Sequence, residues 1–174
     1  MKPTQHPLDG HETVVLSAGE FYFGGGNTRI STLLGSCVSI TLWHPRKRIG
    51  GMCHYMMTDR DRPPESALDG RYGTEAFDLF LHHVEQAKTR PVEYQAKLFG
   101  GANMFKSGKA GGMDIGARNI ECAHRLLDSQ HITLIAEHVA GSGRRKLHFD
   151  LWSGDVWLAF PEGDGAEIRN AYGG

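Results

Sequence analysis

Of the three cysteines in this chain of 174 residues, Cys37 has the surroundings of a nucleophile. Gly35-Ser36 before it favours a tight turn. After it the residues alternate, with Val38, Ile40 and Leu42 on one face and Cys37, Ser39 and Thr41 on the other. That is the period of a strand. His44-Pro45-Arg46-Lys47 reads as a turn and Arg48 to Met56 as the returning strand. With those four loop residues, Trp43 faces Arg48, and pairing runs outward through Thr41–Gly50 and Ser39–Met52 to Cys37–His54. Opposed residues share a face, with Cβ atoms roughly 5 Å apart. The thiol and the imidazole are therefore expected side by side at the open end of the hairpin. A one-residue slip would send them to opposite faces.

A thiol beside an imidazole suits acyl transfer. The ring takes the thiol proton and later returns it to a departing amine. Successive backbone N–H groups around Gly35, Ser36 and Cys37 are the expected donors to an oxyanion. A hydroxyl from Ser31 or Thr32 would orient the ring, the third role of a triad. Asn103, just after Gly100-Gly101, is a candidate for the substrate cleft or a turn residue. A lone cysteine is more often a small buried apolar group. Cys53, which alternates away from His54, and Cys122, inside a predicted helix, are assigned that role.

The elements that must hold these residues are mostly strands. Thr13 to Leu16, Phe21 to Phe23 and Arg29 to Thr32 are short β-like pieces, with Gly24 to Asn27 as a loop. A polar loop with Pro63-Pro64 leads to a helix over Thr74 to Lys88, whose apolar stripe includes Phe77, Phe80, Leu81 and Val84. Lys97 to Phe99 reads as a buried strand. A second helix over Ile115 to Ser129 carries Ile115, Ile120, Ala123 and Leu127 on its apolar side. Thr133 to Val139 is a strand, and Lys146 to Leu151 with Asp155 to Phe160 is a hairpin. Strands in hairpins with two helices indicate an α+β fold in one domain, with loose tails at about 1–12 and 161–174.

Composition narrows the function classes. A net charge of −1 and only short basic clusters (Arg46 to Arg48, Arg144 to Lys146) argue against a nucleic-acid surface. The cysteine spacings match no CxxC pattern and suggest free thiols in a reducing compartment. The ten histidines include no i, i+4 pair of metal-ligand type, so no metal site is expected. The most apolar stretch, Leu33 to Trp43, is too short to span a bilayer. No membrane insertion is expected, and the location is read as cytoplasmic. The glycine-rich stretch before the second helix matches no phosphate-binding fingerprint and reads as a loop requirement.

Leu34-Gly35-Ser36-Cys37-Val38, followed by His44 to Met52 and by His54, resembles the signature of the chemoreceptor glutamine deamidases, the CheD family. The likeness lies in Leu-Gly-Ser before a cysteine, a turn with Pro and Arg/Lys then Ile-Gly, and a histidine seventeen positions after the cysteine. Gly19 to Tyr22, Arg71-Tyr72-Gly73, Lys97 to Met104, Ile115 to Asn119 and Gly141 to Phe149 resemble further family segments in the same order. The resemblance implies layered β-sheets flanked by helices, similar to the toxin-type cysteine deamidase fold. It implies conversion of glutamines on the cytoplasmic helices of methyl-accepting chemotaxis receptors to glutamates, with no cofactor. Some members of that family bind the CheC phosphatase, which leaves it open as a partner here. The family's supporting threonine has two counterparts here, Ser31 six positions before Cys37 and Thr32 five before. Ala140-Gly141 replaces a family Gly-Gly. The alternative reading is an adaptor that engages receptors or CheC with little catalysis.

Overall fold

The computed structural model describes residues 4–8, 10–105, 114–161 and 169–172, the first and last of these as backbone strands. In chain order the first six strands are β1 (Thr4–Leu8), β2 (His11–Leu16), β3 (Phe21–Gly25), β4 (Thr28–Leu34), β5 (Val38–His44) and β6 (Ile49–Cys53). Helix α1 (Gly73–Gln86), β7 (Gln95–Gly100), helix α2 (Ile115–Ser129) and β8 (Thr133–Val139) follow. The last strands are β9 (Arg145–Asp150), β10 (Val156–Ala159) and β11 (Arg169–Tyr172).

The strands form two sheets. A central sheet runs β3-β6-β5-β7-β8 and an outer sheet β1-β2-β4-β9-β10-β11. Both helices pack on one face of the central sheet, and the outer sheet covers its other face. The expected α+β class with layered sheets therefore holds. The chain ends read as loose include β1 and β11, which extend the outer sheet through pairing with β2 and β10. Backbone pairing at an edge leaves little apolar signal in a sequence.

Strand β5 explains the layering. Every one of its residues is buried, because both of its faces are covered. Val38, Ile40 and Leu42 pack with Phe80, Leu98 and Leu127 on the helix side. Trp43 packs between the sheets with Ile30, Met52, Phe99 and Phe149, and its Nε1–H donates to Leu151 O at 3.0 Å. On α1 the stripe behaves as its spacing predicts: Phe77, Phe80 and Val84 are buried, and Leu81 is half-buried against them. Glu75 in its first turn takes a two-pronged bond from Arg60, which ties the preceding polar loop to the helix.

Helix α2 departs from the stripe at its first residue. Ile115 is 47% exposed. Gly116 is the residue that meets the backbone after β7 there, since a Cβ on it would lie 2.3 Å from Gly101 O. About 100° of helical rotation then turns Ile115 away from the sheet. Asp114 caps the same helix by accepting from the N–H groups of Gly116 and Ala117. The helix start thus meets its own carboxylate, and 106–113 of the glycine-rich stretch lie outside the described residues.

The β5–β6 hairpin is displaced by two residues from the expected register. His44 pairs with Ile49 and Thr41 with Met52, so the loop is Pro45 to Arg48. His44 stays in the strand because its buried ring stands edge-on to Tyr94 and its Nδ1 accepts the Lys47 N–H at 3.2 Å. Arg48 closes the turn at φ 50. The bridge between Val38 and Tyr55 continues the same register. Cys37 therefore opposes Met56, and His54 opposes Ser39. An even shift preserves the faces.

Phe80 is fully buried and meets the Phe21 ring edge-on, centroids 4.8 Å apart. Phe80→Ala should cost about 3–5 kcal/mol in urea unfolding, whereas Ile115→Ala should stay within about 0.5 kcal/mol. Equal effects would contradict this placement of the helices.

Candidate active site

The chain crosses from the outer sheet to the central sheet at Gly35-Ser36-Cys37, between β4 and β5. Backbone bonds hold this corner. Gly101 N–H donates to Cys37 O at 2.9 Å and Ala102 N–H to Gly35 O at 3.0 Å. Gly100 permits the approach: its φ is +104, and a Cβ there would lie 2.2 Å from Cys37 O. Val38 and Tyr55 exchange N–H···O bonds of 3.1 and 3.0 Å, which sets the strand after His54 beside the start of β5.

His54 is held through its backbone N–H, its carbonyl and its Nδ1. Its N–H donates to Glu20 O at 3.2 Å and its carbonyl accepts from Gly19 N at 2.7 Å. Its Nδ1 lies 2.7 Å from Thr32 Oγ1, and that hydroxyl lies 2.7 Å from Leu16 O. A carbonyl only accepts, so the Thr32 proton goes to Leu16 O and Thr32 accepts from Nδ1–H. The assignment leaves Nε2 with the lone pair, the form that a proton acceptor needs.

Cys37 and His54 share the face of the central sheet that looks toward the outer sheet. They are diagonal across the ladder, not directly opposed, and such neighbours lie about 7 Å apart at the backbone. The structure draws no hydrogen bond between thiol and ring. Ser39, opposite His54, carries a buried hydroxyl with no hydrogen-bond partner among the described residues. Thr32 is the hydroxyl that reaches His54. Ser31 lies on the other face of β4, where its Oγ bonds to Leu147 O and to His148 Nδ1. Successive strand residues face opposite ways, so one of the two had to be excluded.

Burial sets the charges. It pushes the Cys37 thiol up, partly offset by the residue's own N–H beside the sulfur. It pulls His54 down to about 4. The resting pair is a neutral thiol and a neutral imidazole. Cys37 is half-buried and opens into a cleft of about 450 Å³, whose walls include Ser36, Met56, Met57, Arg118 and Asn119. Among the described residues, no carbonyl accepts the N–H of Ser36 or Cys37.

Other candidates fall elsewhere. Asn103 is exposed, and its Oδ1 accepts the Phe105 N–H at 3.0 Å, an Asx turn outside the cleft wall. Cys53 is fully buried on the helix side and pushed up to about 12 by burial. Cys122 is buried in α2, with its sulfur near Thr58 O. No group of three or more His, Cys, Asp or Glu is placed to hold a metal among the described residues. Asn119 is a wall residue that the sequence offers only within the Ile115 to Asn119 segment. Its polarity on the buried side of an amphipathic helix was the available signal.

An α+β protein of stacked sheets, with a cysteine, a histidine and a hydroxyl gathered where the chain changes sheets, is an architecture suited to an amidohydrolase. Comparison with known proteins is consistent with that class. A family model described as CheD chemotactic sensory transduction matches residues 56–160. A protein of Dechloromonas aromatica named "Probable chemoreceptor glutamine deamidase CheD 3" is 70% identical over 167 residues, covering 96% of this chain and 98% of its own. Proteins named "Probable chemoreceptor glutamine deamidase CheD" from Pseudomonas fluorescens and "CheD 1" from Chromobacterium violaceum are 43% and 42% identical, covering 86% and 97% of this chain and 85% and 88% of their own. The chain belongs to the CheD family.

Two measurements check the site. Iodoacetamide on the folded protein should label Cys37 and spare Cys53 and Cys122, with a rate that keeps climbing past the ordinary thiol range of about pH 8.5. Labelling of Cys53 first would contradict the burial pattern. Stability should also respond to pH. His54 and His148 are both held at about 4, so the unfolded chain binds protons that the folded one refuses. Stability is fully present above about pH 6.5 and falls as the pH drops toward about 4. A melting temperature unchanged between about pH 7.5 and 4.5 would mean that neither ring is depressed.

Proposed function

We propose that this protein is a protein-glutamine deamidase that converts glutamine side chains of chemotaxis receptors to glutamate, with Cys37 as nucleophile, His54 as base and Thr32 as the residue that orients His54. The observation that carries the reading is the Thr32–His54 bond of 2.7 Å behind the cysteine that opens to the cleft. The names of the relatives supply the substrate class.

The chemistry follows from the neutral pair. When a glutamine carboxamide enters the cleft, His54 Nε2 takes the thiol proton as the sulfur attacks the carbonyl carbon. The new C–S bond leaves the oxygen negative, and the N–H groups of Ser36 and Cys37 are the donors at hand for it. The imidazolium gives its proton to the nitrogen, ammonia leaves and a thioester remains. Water, deprotonated by His54, then adds to the thioester, and the thiol departs with that proton. The products are glutamate and ammonia, and no cofactor enters the balance.

The substrate would be a folded helical segment on the cytoplasmic side of a receptor. The cleft rim supports this, because Met56, Met57 and Ile115 are 37, 42 and 47% exposed around it. Methionines at a rim adapt to the apolar face of a docked helix. A CheC-type phosphatase is the second partner of this reading. No helix among the described residues is long and apolar enough to cross a membrane; a cytoplasmic location is proposed from the receptor segment that would be the substrate.

The test is mass spectrometry of receptor cytoplasmic fragments, reading the gain of about one dalton per glutamine, with ammonia release as a second readout. Cys37→Ala should abolish turnover, and Cys37→Ser should be nearly inactive, because a serine hydroxyl is poorly ionised without a stronger base. His54→Ala should slow both halves of the reaction. Thr32→Val should lose about 10–100-fold in kcat, while Ser31→Ala, Cys53→Ala and Cys122→Ala should keep most activity. A fully active Cys37→Ala would remove the nucleophile. Receptor binding with no ammonia from the wild type would establish the adaptor instead.

A further inference from the structure

Asn119 stands behind the proposed nucleophile, and the reaction scheme leaves it unused. It is 1% exposed and sits on the side of α2 that faces the central sheet. Its Nδ2 donates to two carbonyls from separate segments, Ser36 O at 3.3 Å and Met56 O at 2.9 Å. Both partners are acceptors, so the nitrogen end of the amide must face them. The Tyr55 hydroxyl bonds to the main-chain carbonyl of Asn119 and anchors this turn of α2 from below.

We propose that Asn119 is a positioning residue that sets the Cys37 N–H as the oxyanion donor of the deamidation step. The proposal rests on the deamidase reading. In a planar trans peptide, the carbonyl of one residue and the N–H of the next point in opposite directions. Holding Ser36 O therefore fixes the direction of the Cys37 N–H. That N–H lies beside the residue's own sulfur. An oxyanion formed on a carbon bonded to that sulfur develops in the same place. No described carbonyl competes for the donor.

The second bond gives the clamp its leverage. Met56 follows Tyr55 and His54 and forms the facing wall of the cleft. One amide group thus joins the segment that carries the sulfur to the segment that carries the base. Without it, the peptide between Ser36 and Cys37 keeps its place at the corner, held by Gly101 and Ala102, but loses the bond that orients it.

Alkylation separates this role from a general structural one. Iodoacetamide reacts with a thiolate by direct displacement and forms no oxyanion, whereas deamidation does. Asn119→Ala should lose about 10–100-fold in kcat on receptor fragments, less than the about 10²–10³-fold of deleting a donor outright. KM should stay within about twofold of wild type, and Cys37 alkylation should fall by a much smaller factor than kcat, limited to the small upward move of the thiol that a turned N–H allows. Tyr55→Phe should lower kcat by a smaller factor in the same way. If Asn119→Ala fails to fold, Asn119→Asp, which keeps the shape and sets an acceptor against both carbonyls, carries the same comparison. Unchanged kcat, a rise in KM alone, or alkylation that falls in parallel with kcat would each overturn the proposal. A wild type that releases no ammonia overturns the deamidase reading and this proposal with it; an active wild type with equally active Asn119 variants overturns the proposal alone.

Discussion

The contact between Thr32 and His54 depends on two sheets lying face to face. Thr32 belongs to β4 of the outer sheet, and His54 follows β6 of the central sheet, so their 2.7 Å bond spans the interlayer space. Packing of Ile30, Leu34, Met52, Phe99 and Phe149 brings the layers together. The polar contact forms at the margin of that apolar core, where the hydroxyl also satisfies Leu16 O. Loss of the interlayer packing would leave His54 without its orienting partner, although the β5–β6 hairpin itself could survive.

The same burial decides how the site can work. Cysteine enzymes that rest as thiolate and imidazolium need surroundings that stabilise both charges. Here desolvation raises the thiol and lowers the imidazole, so the uncharged pair is favoured before substrate binds. In the proposed reaction, proton transfer would be coupled to attack on the carbonyl, with the charge passing to an oxygen that backbone donors receive. A neutral resting thiol would also be less open to alkylating and oxidising agents, since the thiolate is the reactive form. The inner faces of the sheets carry other buried polar groups. Lys97, 4% exposed and pulled down to about 8 by burial, bonds to Gly154 O, far along β7 from the cysteine corner.

Much of this protein was legible from local pattern. Alternation marked β5, the i, i+3, i+4 stripes marked both helices, and Ile115–Ser129 and Thr133–Val139 match the structure residue for residue. Periodicity reads well where one side of an element is buried, because burial imposes the period. It misled at Ile115, where Gly116 takes the contact with the sheet. It was silent on β1 and β11, whose place comes from pairing at an edge. The spacing of Cys37 and His54 put both on one face, and parity of the strand guarantees that for any even shift of register.

The sequence determined the residue types available for chemistry, the faces they share and the family to which the chain belongs, because these follow from order and spacing along one chain. The tertiary structure alone decided the rest. The pairing of His44 with Ile49 came from a ring packed on Tyr94, and it turned an opposed Cys37–His54 pair into a diagonal one. The choice of Thr32 over Ser31 came from which face of β4 looks at the other sheet. Asn119 reached Ser36 and Met56 only because α2 lies across the central sheet, over 60 residues away in the chain from either. Local pattern fixes which way a side chain points relative to its own strand or helix; it carries no information on what another layer places opposite.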